Sequence, residues 1–194
     1  MPVQVGSSRQ VITVKASGSR ATVTAWQKNS SGWKQQLSTN QARVGSNGIT
    51  NGATRTQGTS TTPTGTYTIT EGFGINANPG TKVPYTQVTA DHWWVEDPKS
   101  AYYNQMRRAS EGGFPLTEAG ERGSEQIIRH TPAYRYALVI DYNLWPAVPG
   151  RGAGIFLHVN GQGATAGGVS VPQATMTQIM RWIDPAAQPR IAIG

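Results

Sequence analysis

The 194-residue sequence predicts a mainly β fold in one domain, 1–194, with a long irregular insertion and one amphipathic helix near the C-terminus. Three observations carry this expectation. The hydrophobic share is 37%, with 23 glycines and 12 prolines, which suits short strands joined by frequent turns better than a helical bundle. Short runs rich in β-branched residues recur, several alternating in period two. Only Met176, Ile179, Met180 and Ile183 repeat apolar residues at the spacing of a helix face.

Val11 to Ala16 and Ala21 to Trp26, joined by Ser17-Gly18-Ser19-Arg20, predict a β-hairpin. Asn29 to Gly32 then turns into a short strand at Trp33 to Leu37. Residues 45–65 are dense in Gly, Ser, Thr and Asn and predict a loop, followed by a strand at Thr66 to Thr70. Residues 72–123 lack a clear period apart from a short helix expected around Lys99 to Met106; so long an irregular stretch suggests a lid or substrate-binding region. Tyr136 to Tyr142 and Gly154 to Val159 predict two apolar strands. Ser170 is placed as helix N-cap and Pro172 in the first turn, with Pro185 ending the helix and Arg190 to Ile193 returning as a last strand.

Seventeen basic residues against ten acidic ones give a net charge of +7, which favours anionic polymers in general. The charges are scattered, with no basic stripe interleaved with aromatics, so nucleic acid is not expected as a partner. No run has the apolar length of a membrane span. Met1-Pro2-Val3-Gln4 shows no basic stretch followed by an apolar one and so no signal peptide, which leaves a cytosolic protein or, as the preferred expectation, a mature region behind an added methionine. The absence of cysteine excludes disulfides, thiolate metal sites and thiol catalysis in this chain.

His158 ends an apolar strand, and Gly167-Gly168 lies just ahead of the helix. A histidine so placed can serve as general base for a nucleophile on a facing loop, and a Gly-Gly turn can aim N–H groups at an oxyanion. A satisfied strand-end histidine beside a connecting turn explains the same spacing. His130, before Thr131-Pro132, is expected to make a loop contact, and Asp141 to cap a strand-end turn. The three histidines lack metal-ligand spacing, and neither a metal nor a cofactor is expected. Glu71, Glu96, Asp97 and Glu111 are scattered in sequence and do not suggest a paired-carboxylate hydrolase.

Several motifs together resemble the L,D-transpeptidase catalytic domain (YkuD-type), in the branch found in actinobacterial exported proteins. They are Val139 to Asn143, Ile155-Phe156-Leu157-His158-Val159, and Thr165-Ala166-Gly167-Gly168-Val169-Ser170. Upstream, Thr62-Pro63-Thr64-Gly65-Thr66-Tyr67, Pro84 to Gln87 and His92-Trp93-Trp94 fit the same branch in the same order. The commoner form of the motif has histidine where Ala166 stands. The resemblance implies a β-sandwich and cysteine thioester chemistry on peptidoglycan stem peptides, giving 3–3 cross-links. It places His158 as base, Gly168 at the nucleophile position and Gly167 in the oxyanion turn, with Thr165 in the same loop. It also suggests His92, Trp93, Trp94 and Tyr142 as stem-peptide contacts, although both tryptophans equally suit anchoring the insertion to the core.

Glycine has no side chain, so the covalent path cannot run in this chain as written. Either Gly168 is an engineered loss of the nucleophile, or the protein is a pseudoenzyme that binds stem peptides. A basic module binding wall polymers is a third expectation. The implied partners are stem peptides, with carbapenem-type β-lactams joining only if a nucleophile is restored. The implied location is secreted or wall-associated.

Overall fold

The structure, a computed structural model, describes residues 3–194. β1 (Gln10–Ser17) and β2 (Arg20–Asn29) form the expected hairpin, paired from Gln10 opposite Gln27 to Ser17 opposite Arg20. Gly18 takes φ 59° in its turn, a left-handed conformation that other residues adopt at a cost. β3 (Gly32–Arg43) runs well past the short strand expected at Trp33 to Leu37. Its second half is polar apart from the buried Ala42, so backbone pairing to β2 holds it where no apolar alternation advertises it.

The stretch 45–65 is not all loop. It contains β4 (Ile49–Asn51) and the start of β5 (Thr62–Thr68), which pair in parallel. The insertion expected at 72–123 is likewise built of short strands: β6 (Gly72–Gly74), β7 (Tyr85–Gln87), β8 (His92–Trp94) and β9 (Met106–Arg108), with β10 (Glu125–Gln126) just beyond. No helix forms at Lys99 to Met106. That segment is a series of turns in which Asn104 adopts φ 61° and is fixed from three sides. Trp94 Nε1 donates to Asn104 Oδ1 at 2.9 Å, while Asn104 Nδ2 donates to the carbonyls of Tyr142 and Asn143 at 3.1 and 2.8 Å.

β11 (Ala137–Val139), β12 (Phe156–Val159), β13 (Val169–Val171), α1 (Gln173–Trp182) and β14 (Arg190–Ile193) complete the fold. The main sheet runs β4-β5-β14-β1-β2-β3-β13-β12-β11-β6-β7, and β10-β8-β9 make a second, smaller sheet. β14 closes the chain in parallel with β1. One apolar cluster unites Ile12 and Val14 of β1, Leu157 and Val159 of β12 and Ile191 of β14 with the helix stripe. A long sheet can deliver residues from such distant strands into one core only by twisting and curling over it.

Met176, Ile179, Met180 and Ile183 are all fully buried, as the 3.6-residue period requires, with Ile183 just past the last helical turn. Ser170 is not the helix cap. It lies within β13, its hydroxyl donates to Asn160 Oδ1 at 2.7 Å, and the helix begins after Pro172 with no side-chain cap. Parallel pairing to β12 claims the residues that cap chemistry alone assigns to the helix start.

Candidate active site

The alternation of β12 positions the site. Leu157 and Val159 point into the main core, leaving Phe156 and His158 on the other face, against a second cluster of Phe73, Trp94, Tyr134 and Phe156. The Tyr134 ring stands perpendicular to both Phe156 and His158, at centroid distances of 5.4 and 5.5 Å. In the parallel register Leu157 lies beside Val169 and His158 beside Ser170, so Gly168 falls on the face that carries His158.

His158 Nδ1 donates to its neighbour's carbonyl, Val159 O, at 3.0 Å. That bond fixes the tautomer and leaves Nε2 as the unprotonated nitrogen. The surrounding protein disfavours charge on the ring and pushes its pKa down to about 4, against the smaller opposing effect of the Val159 carbonyl. A Cβ built on Gly168 would lie 3.1 Å from Nε2. The geometry thus presents a neutral base to whatever side chain residue 168 carries.

The loop before β13 is pinned at residue 168. The Gly168 carbonyl accepts from the hydroxyls of Thr165 at 2.7 Å and Thr62 at 3.0 Å. Thr62 is fully buried and also accepts the Gly45 N–H at 2.8 Å, which ties the loop to the turn after β3. The Gly167 N–H donates to Thr165 Oγ1 at 3.2 Å, so it is held within the loop. Among the described residues no side chain engages the Gly168 N–H, which makes it the candidate oxyanion donor.

A cavity of about 550 Å³ covers this face, with His158 and residues 166–168 in its wall. Arg55 lines it too. Its Nε donates to Thr61 O at 2.8 Å and Nη1 to Arg151 O at 3.2 Å, and Nη2 would sit 2.8 Å from a Cβ on Gly167. Glycine at 167 is therefore the residue that lets this guanidinium approach the loop. Arg55 is buried, forms no salt bridge among the described residues, and has its pKa lowered chiefly by burial. Such a cation beside the loop can receive a carboxylate or a developing oxyanion. Sequence reading missed it, although it is the single charged residue in the 45–65 stretch.

The same cavity is lined by Glu96, one of the carboxylates that looked scattered along the chain, and by Glu118, Glu125 and Tyr134. The suggested peptide contacts sit elsewhere. Trp93 is buried against Phe114, and Trp94 is buried between Phe73 and Phe156, so the tryptophans anchor the insertion to the core. His92 Nδ1 accepts the Thr89 N–H at 2.9 Å in a local turn. The Tyr142 hydroxyl donates to Gly52 O at 2.7 Å, and the ring borders a separate hollow beside Asp141. Asp141 accepts from the Thr68 hydroxyl at 2.7 Å and from Thr70 at 3.1 Å. His130 contacts Glu118.

Among the described residues no group of three His, Asp or Glu side chains could hold a metal ion, and no helix is long and apolar enough to cross a membrane. Comparison with curated proteins returns no match. The solved structure of Bdellovibrio bacteriovorus Bd1075 aligns with 96% of this chain at 14% identity and a TM-score of 0.48. The chain spans 48% of that protein's length. The family model of the L,D-transpeptidase catalytic domain (YkuD) matches residues 9–191, from β1 into β14. With His158 and the 165–168 loop inside that span, the protein belongs to the L,D-transpeptidase catalytic domain family.

Proposed function

We propose that this chain is a single domain built for peptidoglycan L,D-transpeptidase acyl transfer, and that it binds stem peptides without turning them over because Gly168 stands at the nucleophile position. The observation that carries this reading is the 3.1 Å separation between His158 Nε2 and a Cβ placed on Gly168. With cysteine there, Nε2 would take the thiol proton and the thiolate would attack the carbonyl of the third stem residue. The tetrahedral oxyanion would face the residue 168 N–H and Arg55. The terminal D-alanine would leave with the proton, and the thioester would pass to an amine of a second stem. Glycine leaves the base and the hole but removes the attacking atom.

Gly168 is not at one of the chain's positive φ angles, so its backbone suits an ordinary L residue. That supports reading the glycine as a knockout of an active transpeptidase. A second reading, a natural pseudoenzyme, is favoured by one contact: the same Cβ would lie 2.7 Å from Phe156 O, so a cysteine needs a small shift of the loop. A secreted or wall-associated setting fits either reading.

The test is a Gly168→Cys variant incubated with a stem tetrapeptide or a carbapenem, followed by intact mass. A covalent adduct in the variant, absent from the parent and from Gly168→Cys/His158→Ala, is expected. A well-folded variant that forms none would sink the transferase reading.

A further inference from the structure

Glu96 and Glu125 come together in the wall of the cavity that holds His158, although 29 positions separate them in the chain. Glu96 Oε2 is buried and finds no hydrogen-bond partner, in contrast to nearly every other buried polar side-chain atom among the described residues. Glu125 is held by the Tyr134 hydroxyl, which donates to its Oε2 at 2.6 Å. Neither carboxylate forms a salt bridge among the described residues. The charged groups facing Glu96 are Glu125 and Glu118, both of its own sign, and Arg55, which is committed to the carbonyls of Thr61 and Arg151. Burial first, and then the neighbouring Glu125 charge, push Glu96 well above the usual carboxylate range, and burial raises Glu125 as well.

Two adjacent acids that no cation pairs in a salt bridge are unfavourable in a closed-off site unless something positive stands between them. A proton can fill that role, since a carboxylic acid donates a hydrogen bond where an ionised carboxylate cannot. A ligand cation with several N–H donors satisfies the same oxygens better, including the orphaned Glu96 Oε2.

We propose that Glu96 and Glu125 form a subsite for an aliphatic primary ammonium group, carried on a peptide that enters the His158 cavity. The inference rests on the transpeptidase reading only for the source of the amine. Tyr134 links the subsite to the reactive face, since it bonds Glu125 at its hydroxyl and packs its ring on His158. An ammonium bound there competes with protonation of the pair.

The test uses the Gly168 protein itself, which cannot consume its ligand, with n-pentylammonium as probe and n-pentanol as its neutral counterpart. Amide shifts are followed during titration at neutral pH. The expected result is saturable shifts centred on Glu96, Glu125 and Gly154 with the amine alone, at least about tenfold weaker in Glu96→Gln. Calorimetry in two buffers of different ionisation heat should show protons released on ammonium binding. Equal binding of amine and alcohol, unchanged binding in Glu96→Gln, or shifts confined to the exposed Glu121 would each overturn the subsite. Glu125→Gln carries the same expectation if the Glu96 variant folds poorly. Adduct formation by Gly168→Cys needs no ammonium, so its failure beside intact amine binding would overturn the transferase reading and leave the subsite standing.

Discussion

His158 Nε2 faces the position of a Cβ on Gly168 at 3.1 Å, across the parallel pairing of β12 and β13. The base is aimed by its Nδ1 bond to Val159 O, and the far side of the gap is set by the two hydroxyls on the Gly168 carbonyl. This geometry is therefore built without any side chain at residue 168, because every group that sets it is another residue's side chain or the backbone.

The low basicity of His158 is directly measurable. Its C–H resonance should titrate with a midpoint of about 4. Because the folded pKa lies below the unfolded value of about 6.5, the unfolded chain binds the proton first, and stability falls as pH drops from about 6.5 to 4. The loss attributable to this ring is up to ~3 kcal/mol, read as the difference in unfolding free energy between the parent and His158→Gln across that window. A midpoint near 6.5 would show that the surrounding protein does not disfavour charge on the ring.

Asp141 behaves in the opposite sense. Burial raises its pKa to about 6, against the Thr68 and Thr70 hydroxyl bonds that lower it. Its contribution is present below about pH 4 and is lost as pH rises through 6. Asp141→Asn keeps an acceptor for both threonines, and should stabilise the protein near pH 8 by about 1 kcal/mol, after allowing for solvent screening of a partly exposed group. Urea unfolding at pH 4 and pH 8 checks it: a gain equal at both values contradicts the assignment.

Thr62 ties the Gly168 carbonyl to the Gly45 N–H from a fully buried position. Thr62→Val keeps the shape and removes both bonds, which should cost about 1–3 kcal/mol. In a Gly168→Cys background it should also slow adduct formation, since the loop is no longer held at residue 168. Unchanged stability together with unchanged acylation would show that the loop is positioned by something else.

Trp94 tests whether the tryptophan pair is core or cleft. Its ring packs on Phe156 at 4.8 Å and its Nε1 bonds Asn104 at 2.9 Å. Trp94→Ala should destabilise by about 3–5 kcal/mol in thermal unfolding. A variant of near-native stability that has lost peptide binding would return Trp94 to the ligand.

The strands with apolar content were legible because one-sided burial writes itself into the chain as period two, and the helix because its stripe has period 3.6. β3 extended further than expected, and β4 and β8 to β10 were hidden, since strands of two or three residues are too short to show a period and the far half of β3 is held by backbone pairing to β2. Ser170 satisfied a local rule for a helix cap, yet tertiary pairing placed it in β13.

By itself the sequence determined the mainly β character, the helix face, the family motifs and the glycine at residue 168. Only the tertiary structure decided that Trp93 and Trp94 belong to the core, and that Arg55, Glu96 and Glu125 share one cavity with His158. The reason is physical. Periodicity reports which side of an element is buried, but charge neighbourhoods arise where separate loops meet over a sheet, and no local pattern records which loops those are.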